Sequence, residues 1–130
     1  MSQVRNIHSA LSQISQPWQP HRLVTVNEQE VKAVKLLGEF VWHDHPVDEL
    51  FFVIAGELAI DMRPAPTAEN SAPEETTVHL GPGDMYVVPR GVEHRPRAAQ
   101  EVSAMLFEPR GVVNTGNAGG ALTSAVHELE

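Results

Sequence analysis

Apolar residues recur first at helical spacing and then, for most of the chain, in short runs of strand period. Val4, Ile7, Leu11 and Ile14 fall on one stripe of a helix, which predicts a short amphipathic arm over residues 2–16 whose stripe needs a surface to rest on. Pro17 and Pro20 end that pattern. Residues 21–26 and 31–40 then read as strands around an Asn27-Glu28 turn. The second of them has a competing helical reading, because residues 32–37 are good helix formers; Gly38 and the extended segment after it favour a strand. Residues 50–54 are apolar throughout, and Gly56 separates them from residues 57–61, which alternate with period two. A run apolar on both faces needs cover on both. One face is expected to line a barrel interior, with Leu50, Phe52 and Ile54 packing on a second sheet, on the N-terminal arm or on another subunit.

Residues 64–76 change abruptly to Pro, Ala, Ser, Asn and Glu, the composition of a flexible loop between strands. Short strands are predicted at 77–80, 85–88, 94–98 and 102–107, each bounded by Gly, Pro or a polar turn. Strands at this spacing predict an all-β sandwich or small barrel over about residues 21–110. The tail, 111–130, is rich in Gly and small residues and orders only by docking on the barrel or on a neighbouring chain. No internal repeat of solenoid period is visible.

Composition narrows the chemistry. A chain of 130 residues and 14.2 kDa reads as one domain, 1–130. The formal charge of −8, with no dense basic run, argues against nucleic acid or an anionic membrane as partner. Neither a secretory signal nor a membrane-spanning apolar run is apparent, so a soluble, cytoplasmic protein is expected. With no cysteine, any metal must be held by imidazole and carboxylate.

Two polar blocks carry that possibility. Side chains at i and i+2 of a strand share a face, so His43 and His45 reach a common point; Glu49 joins them if the chain turns at Pro46, and His94 arrives from a second strand. Gly56, Gly83 and Gly91 stand where strands must turn.

These blocks resemble the paired motifs of the cupin superfamily of small jelly-roll β-barrels. Gly38, His43, His45, Glu49 and Gly56 match the first motif, with a gap of four residues after Gly38 where the usual pattern has five. Gly83, Pro89, Gly91 and His94 match the second, whose terminal Asn is replaced by Ala98. The resemblance covers about residues 23–108. It implies an all-β jelly roll with a short N-terminal helix, in which His43, His45, Glu49 and His94 ligate one divalent transition metal. Three imidazoles and a carboxylate suit Fe, Mn, Ni, Zn or Cu rather than Ca or Mg.

Parity makes Phe51 and Val53 the expected pocket lining, and Tyr86 is expected beside them, inside the barrel. It turns Phe40 and Trp42 away from the site, leaves Asp44 and Asp48 on a solvated rim, and sets Arg95 and Arg97 on the face opposite His94. Glu93 reads as a turn carboxylate, and residues 108–116 as an exit loop in which Arg110 or Asn114 could close the barrel mouth. No residue outside the ligand set is a convincing acid or base, so catalytic residues stay unassigned. Three functions remain open: a metal-dependent dioxygenase or isomerase acting on a small organic molecule; a non-catalytic sugar or small-molecule sensor; and a purely structural metal tying two sheets together. A homodimer is expected from the two-faced apolar run and the helical arm.

Overall fold

The computed structural model describes residues 3–129. Ser2, where the arm was expected to begin, lies outside them. The described residues form one short helix, α1 (Ile7–Ser12), and eight strands: β1 (His21–Val26), β2 (Gln29–Glu39), β3 (Glu49–Ala55), β4 (Leu58–Arg63), β5 (Thr76–Leu80), β6 (Met85–Val88), β7 (Glu93–Pro109) and β8 (His127–Glu128). The helix is shorter than its apolar spacing suggests. Asn6 is extended and its side chain accepts from the Ser9 N–H, capping the helix behind Val4, which is almost fully exposed. The stripe of Ala10, Leu11 and Ile14 packs on Leu23 and Ala33 and on the partly buried Ile54, so the arm covers one side of the sheet. Burial of Leu11 and Ile14 contributes about 1.5–3 kcal/mol each.

The strands follow the order β5-β4-β7-β2-β1-β8, and β3 joins β7 to β6. All pair antiparallel except β1 with β8. The two strands expected at 94–98 and 102–107 are one continuous strand, β7, because the exposed Ala99–Glu101 segment is a bend at which the register with β2 shifts, and the chain pairs with β2 on both sides of it. Before the bend β7 also pairs with β4, and after it with β3. Gly56, at φ +91°, allows the β3–β4 turn to nest against that bend, where a Cβ would press on the Glu101 carbonyl and Val102. Inward residues of β2, β3, β4 and β7, among them Leu36, Val53, Ile60 and Val102, form a single core. This is an all-β jelly-roll wrap with the expected short helix.

The C-terminal tail docks on the barrel. His127 and Glu128 pair with His21 and Arg22, the His21 and His127 rings stack at 4.8 Å, and Asn114 binds the backbone of Trp18, Leu122 and Ser124. Of the outward apolar residues of β3, Ile54 meets the helix cluster, while Leu50 and Phe52 lie on an open apolar patch with Met85, Met105 and Phe107. Among the described residues no helix is long and apolar enough to cross a membrane.

Asp61 on β4 ties the outer face together. Its carboxylate accepts from Thr77 on β5 and from Arg95 and Arg97 on β7. Burial alone would raise its pKa; the hydrogen bonds from Arg97, Thr77 and Arg95 outweigh that and hold it at about 2. With a depressed folded-state pKa, its contribution is present above the ordinary value of 3.8 and is lost as pH falls through about 2. Asp61→Asn is therefore expected to cost about 2–3 kcal/mol in urea unfolding at pH 7, at the low end for a broken buried pair because both arginines are partly exposed. The gap from wild type should shrink as the pH approaches 2; a gap that does not change with pH would discard the assignment.

Candidate metal centre

The centre begins with a backbone contact. His43 and His94 exchange both main-chain hydrogen bonds, N to O at 3.0 and 2.8 Å, in an isolated antiparallel bridge beyond the end of β2. Their rings lie 4.2 Å apart between centroids, and His45 stands 4.8 Å from His43 and 5.7 Å from His94. The Gly91 N–H donates to the His45 carbonyl at 2.8 Å, and the Arg90 N–H to Asp48, fastening the second polar block to the first. Glu49 enters from β3, its Oε1 lying 3.3 Å from His94 Nε2 and 3.8 Å from His45 Nε2. All four residues are buried, and one nitrogen or carboxylate oxygen from each lies within 4.8 Å of the others.

Their protonation follows from their partners. Nδ1 of His43 and of His94 each meets a backbone carbonyl, Val41 and Val92, at 2.9 Å. A carbonyl only accepts, so both Nδ1 atoms carry hydrogen, and the lone pair of a neutral ring sits on Nε2. Burial, aided by His94, pushes His43 down to about 4, so it is neutral at physiological pH. Burial also lowers His45, neither of whose nitrogens has a hydrogen-bond partner. Burial would raise Glu49, but the His94 hydrogen bond, the His45 ring and contact with Glu108 prevail and hold it at about 2. Both His45 nitrogens lack a partner and the Glu49 carboxylate faces two Nε2 atoms at 3.3 and 3.8 Å, so electron pairs converge on a dry point, an arrangement that a cation relieves. Ligands facing each other across an ion at bond lengths of about 2.1 Å stand about 4.2 Å apart. Contraction by a few tenths of an ångström would suffice, so the residues fit a divalent transition metal.

A narrow cavity adjoins the cluster, lined by His43, Glu49, Phe51, Phe40, Trp18 and Asn114 together with aliphatic residues of β2 and β7. Its free space of about 30 Å³ matches about two water molecules. Of the residues expected to line a pocket, Phe51 borders this cavity, and Val53 and Tyr86 do not. Val53 is wholly enclosed in the core, and the Tyr86 hydroxyl rests 3.5 Å from Met62 sulfur. Phe40, expected to face away, is a cavity wall. The chain leaves regular strand geometry after Glu39, which voids the parity count, and Phe40 meets the His43 ring edge-on at 5.2 Å. Trp42 does point outward, beneath the guanidinium of Arg63 at 3.7 Å. Asn114 borders the cavity, while Arg110 instead bonds the Asn27 and Glu28 carbonyls of the β1–β2 turn. Glu93 binds Arg63.

Sequence reasoning passed over three participants. Trp18 stacks on Phe40 at 4.5 Å with its backbone at φ +64°, a conformation held by hydrogen bonds to Lys35 and Leu37 and from Asn114. Lys32 and Glu108 are fully buried and joined at 2.7 Å. Burial and the charge of Glu49 raise Glu108 to about 9, against the pull of Lys32. The signal was available in parity: Lys32 shares the inward face with Val34 and Leu36, and Glu108 with Ala104 and Leu106.

Residues 37–110 match the family described as Cupin domain. The chain belongs to that family. It is 31% identical over 99 residues to "Uncharacterized protein YdbB" of Bacillus subtilis (strain 168), covering 75% of this chain and 79% of that one. A cupin-2 domain containing protein from Shewanella frigidimarina, known as a crystal structure, is 39% identical and superposes with a TM-score of 0.72 over 82% of this chain and 95% of that one. A more limited similarity, 29% over 69 residues, links the chain to 3-hydroxyanthranilate 3,4-dioxygenase of Brucella anthropi, covering 52% of this chain and 35% of the enzyme.

Gly116 brings the tail over the centre. At φ +53° its Cα packs so tightly on the Asp44 carbonyl that a Cβ would collide with it and crowd His45 Nδ1, while Asn117 accepts from the Asp44 N–H. Gly116→Ala is expected to cost about 1 kcal/mol or more. It should also speed hydrogen exchange at Asp44 and Gly116 while the β7 amides stay protected; unchanged exchange at both would contradict the close approach.

Proposed function

We propose that the protein is a metal-dependent enzyme of dioxygenase type, acting on a small, largely apolar molecule that presents an oxygen to an ion held by His43, His45, Glu49 and His94. The observation that carries this reading is the convergence of four buried imidazole and carboxylate groups, with both His45 nitrogens unpartnered, beside an apolar cavity. A bound Fe(II) would supply Lewis acidity and oxygen activation there. The chain's own residues bind and exclude: Phe40, Phe51 and Trp18 wall the narrow space beside the centre, draw apart to admit a substrate and keep bulk water out, and the Val41 and Val92 carbonyls fix the two imidazoles in the ligating tautomer.

The cavity wall speaks against a sugar sensor. Beyond His43 and Glu49, its polar groups are the amide of Asn114, spent on Trp18, Leu122 and Ser124, and the indole N–H of Trp18, spent on the Leu37 carbonyl. Sugar recognition needs several free donors and acceptors. An isomerase would need a mobile acid or base at the substrate, and the cavity offers none outside the ligand set. The partial similarity to a dioxygenase supports the same choice.

Protein purified without a histidine tag should bind about one equivalent of Fe(II), and His94→Ala should lose at least about 100-fold in affinity, more than a supporting residue would cost. The Fe(II) form should consume oxygen with small phenols or diols. Equal metal binding by both proteins would sink the site, and a flat oxygen trace across the panel would sink the dioxygenase.

We also propose a homodimer built on the outward patch of Leu50, Phe52, Met85, Met105 and Phe107. Light scattering should give twice the chain mass, and Phe52→Glu should halve it; a wild-type monomer would overturn the dimer.

A further inference from the structure

We propose that Trp18 is the specificity-determining residue of the cavity: its indole is the wall that gives way to a substrate, and Asn114 is a positioning residue that holds it closed. The proposal rests on the substrate cavity of the reading above and names the part of its wall that moves. The free space of about 30 Å³ is far below the roughly 150 Å³ of an apolar cavity that takes up benzene. A wall must therefore yield.

The strand residues are poor candidates. Phe51 and Leu106 face each other across β3 and β7, and Val34 and Leu36 lie where β2 pairs with β7, so ladder hydrogen bonds lock their backbones. Phe40 is held by its N–H on the Pro96 carbonyl at 2.9 Å. Trp18 instead lies between α1 and β1, outside every strand. β1 accompanies β2 only as far as Ala33. The Lys35 and Leu37 carbonyls beyond it accept from the Trp18 N–H at 2.8 Å and from the indole Nε1–H at 2.9 Å. Water that enters as the indole swings out can take over both carbonyls, so opening leaves no buried polar group unmet.

The closed position is also one that the backbone resists. Trp18 sits at φ +64°, a left-handed conformation that a bulky residue keeps only where its surroundings hold it. Pro17 and Pro20 fix φ on either side, which leaves Trp18 and Gln19 as the hinge. The tail supplies the hold. Asn114 Nδ2 donates to the Trp18 carbonyl at 3.2 Å and to that of Leu122 at 2.9 Å, while its Oδ1 accepts from the Ser124 N–H at 2.9 Å. Leu122 packs against the barrel core, so this latch is anchored to the part that does not move.

Calorimetric titration with phenol and the larger 2-naphthol, with and without Co(II), tests the proposal. Wild type should bind phenol and discriminate against 2-naphthol. Trp18→Ala should bind 2-naphthol at least about tenfold more tightly than wild type does, the least that a few carbons of added fit bring in an apolar pocket. Trp18→Phe, which keeps a buried ring, should move the preference the same way and serves if the alanine variant does not fold. Trp18 and Trp42 are the two tryptophans of the chain, so in a Trp42→Phe background phenol should shift the remaining emission to the red as the indole leaves its apolar seat. Asn114→Ala should speed phenol association about fivefold, the effect of one hydrogen bond, with 2-naphthol still disfavoured. The same size preference in wild type and in the Trp18 variants, or phenol binding that leaves the Trp18 emission unmoved, would overturn the moving wall; an unchanged association rate in Asn114→Ala would overturn the latch. Absence of phenol binding in every form also defeats the proposal. Phenol binding by a protein that takes up no metal is a different failure: it removes the metal reading and leaves the wall in place.

Discussion

The backbone exchange between His43 and His94 is the contact on which the rest of the site depends. Two peptide groups, each meeting the other's donor and acceptor, hold segments that lie far apart in the chain at the separation of paired strands. With that bridge in place, His45 follows from its neighbour and is fastened by Gly91, and β3 need only pair with β7 and β6 for Glu49 to arrive. The geometry of the cluster is backbone geometry, set by hydrogen bonds that the fold needs for its own closure.

Burial then decides the chemistry. Imidazole and carboxylate groups in an apolar barrel forgo hydration, and the carbonyls of Val41 and Val92 return only part of it. His43 responds by staying neutral, and Glu108 is met by Lys32 at 2.7 Å. The surface acidity of the chain has no part in this.

The two ends of the chain shape the cavity. Trp18 comes from the segment after the N-terminal helix and Asn114 from the tail, and Asn114 holds the Trp18 carbonyl in a left-handed backbone conformation that costs about 1–3 kcal/mol. The strain is borne where an aromatic ring fills the space beside the ligand set, so the size of what can bind is set by elements outside the barrel strands.

Strand period, the glycine and proline breaks and the lack of cysteine made the all-β fold, most of its strands and the grouping of His43, His45, Glu49 and His94 legible in the sequence, because these depend on local spacing and side-chain type. Parity misled where regular geometry stops: at Phe40, which turns into the cavity once β2 has ended, and at residues 99–101, where a bend in one strand looks like a break between two. It was informative but unread at Lys32 and Glu108, since a charged residue on an inward face is a contradiction until its partner is known. Their pairing, the docking of the tail and the place of Trp18 join residues distant in the chain. Only the tertiary structure decided them, because nothing in local sequence encodes which distant group satisfies a buried charge or which end of the chain covers an open barrel.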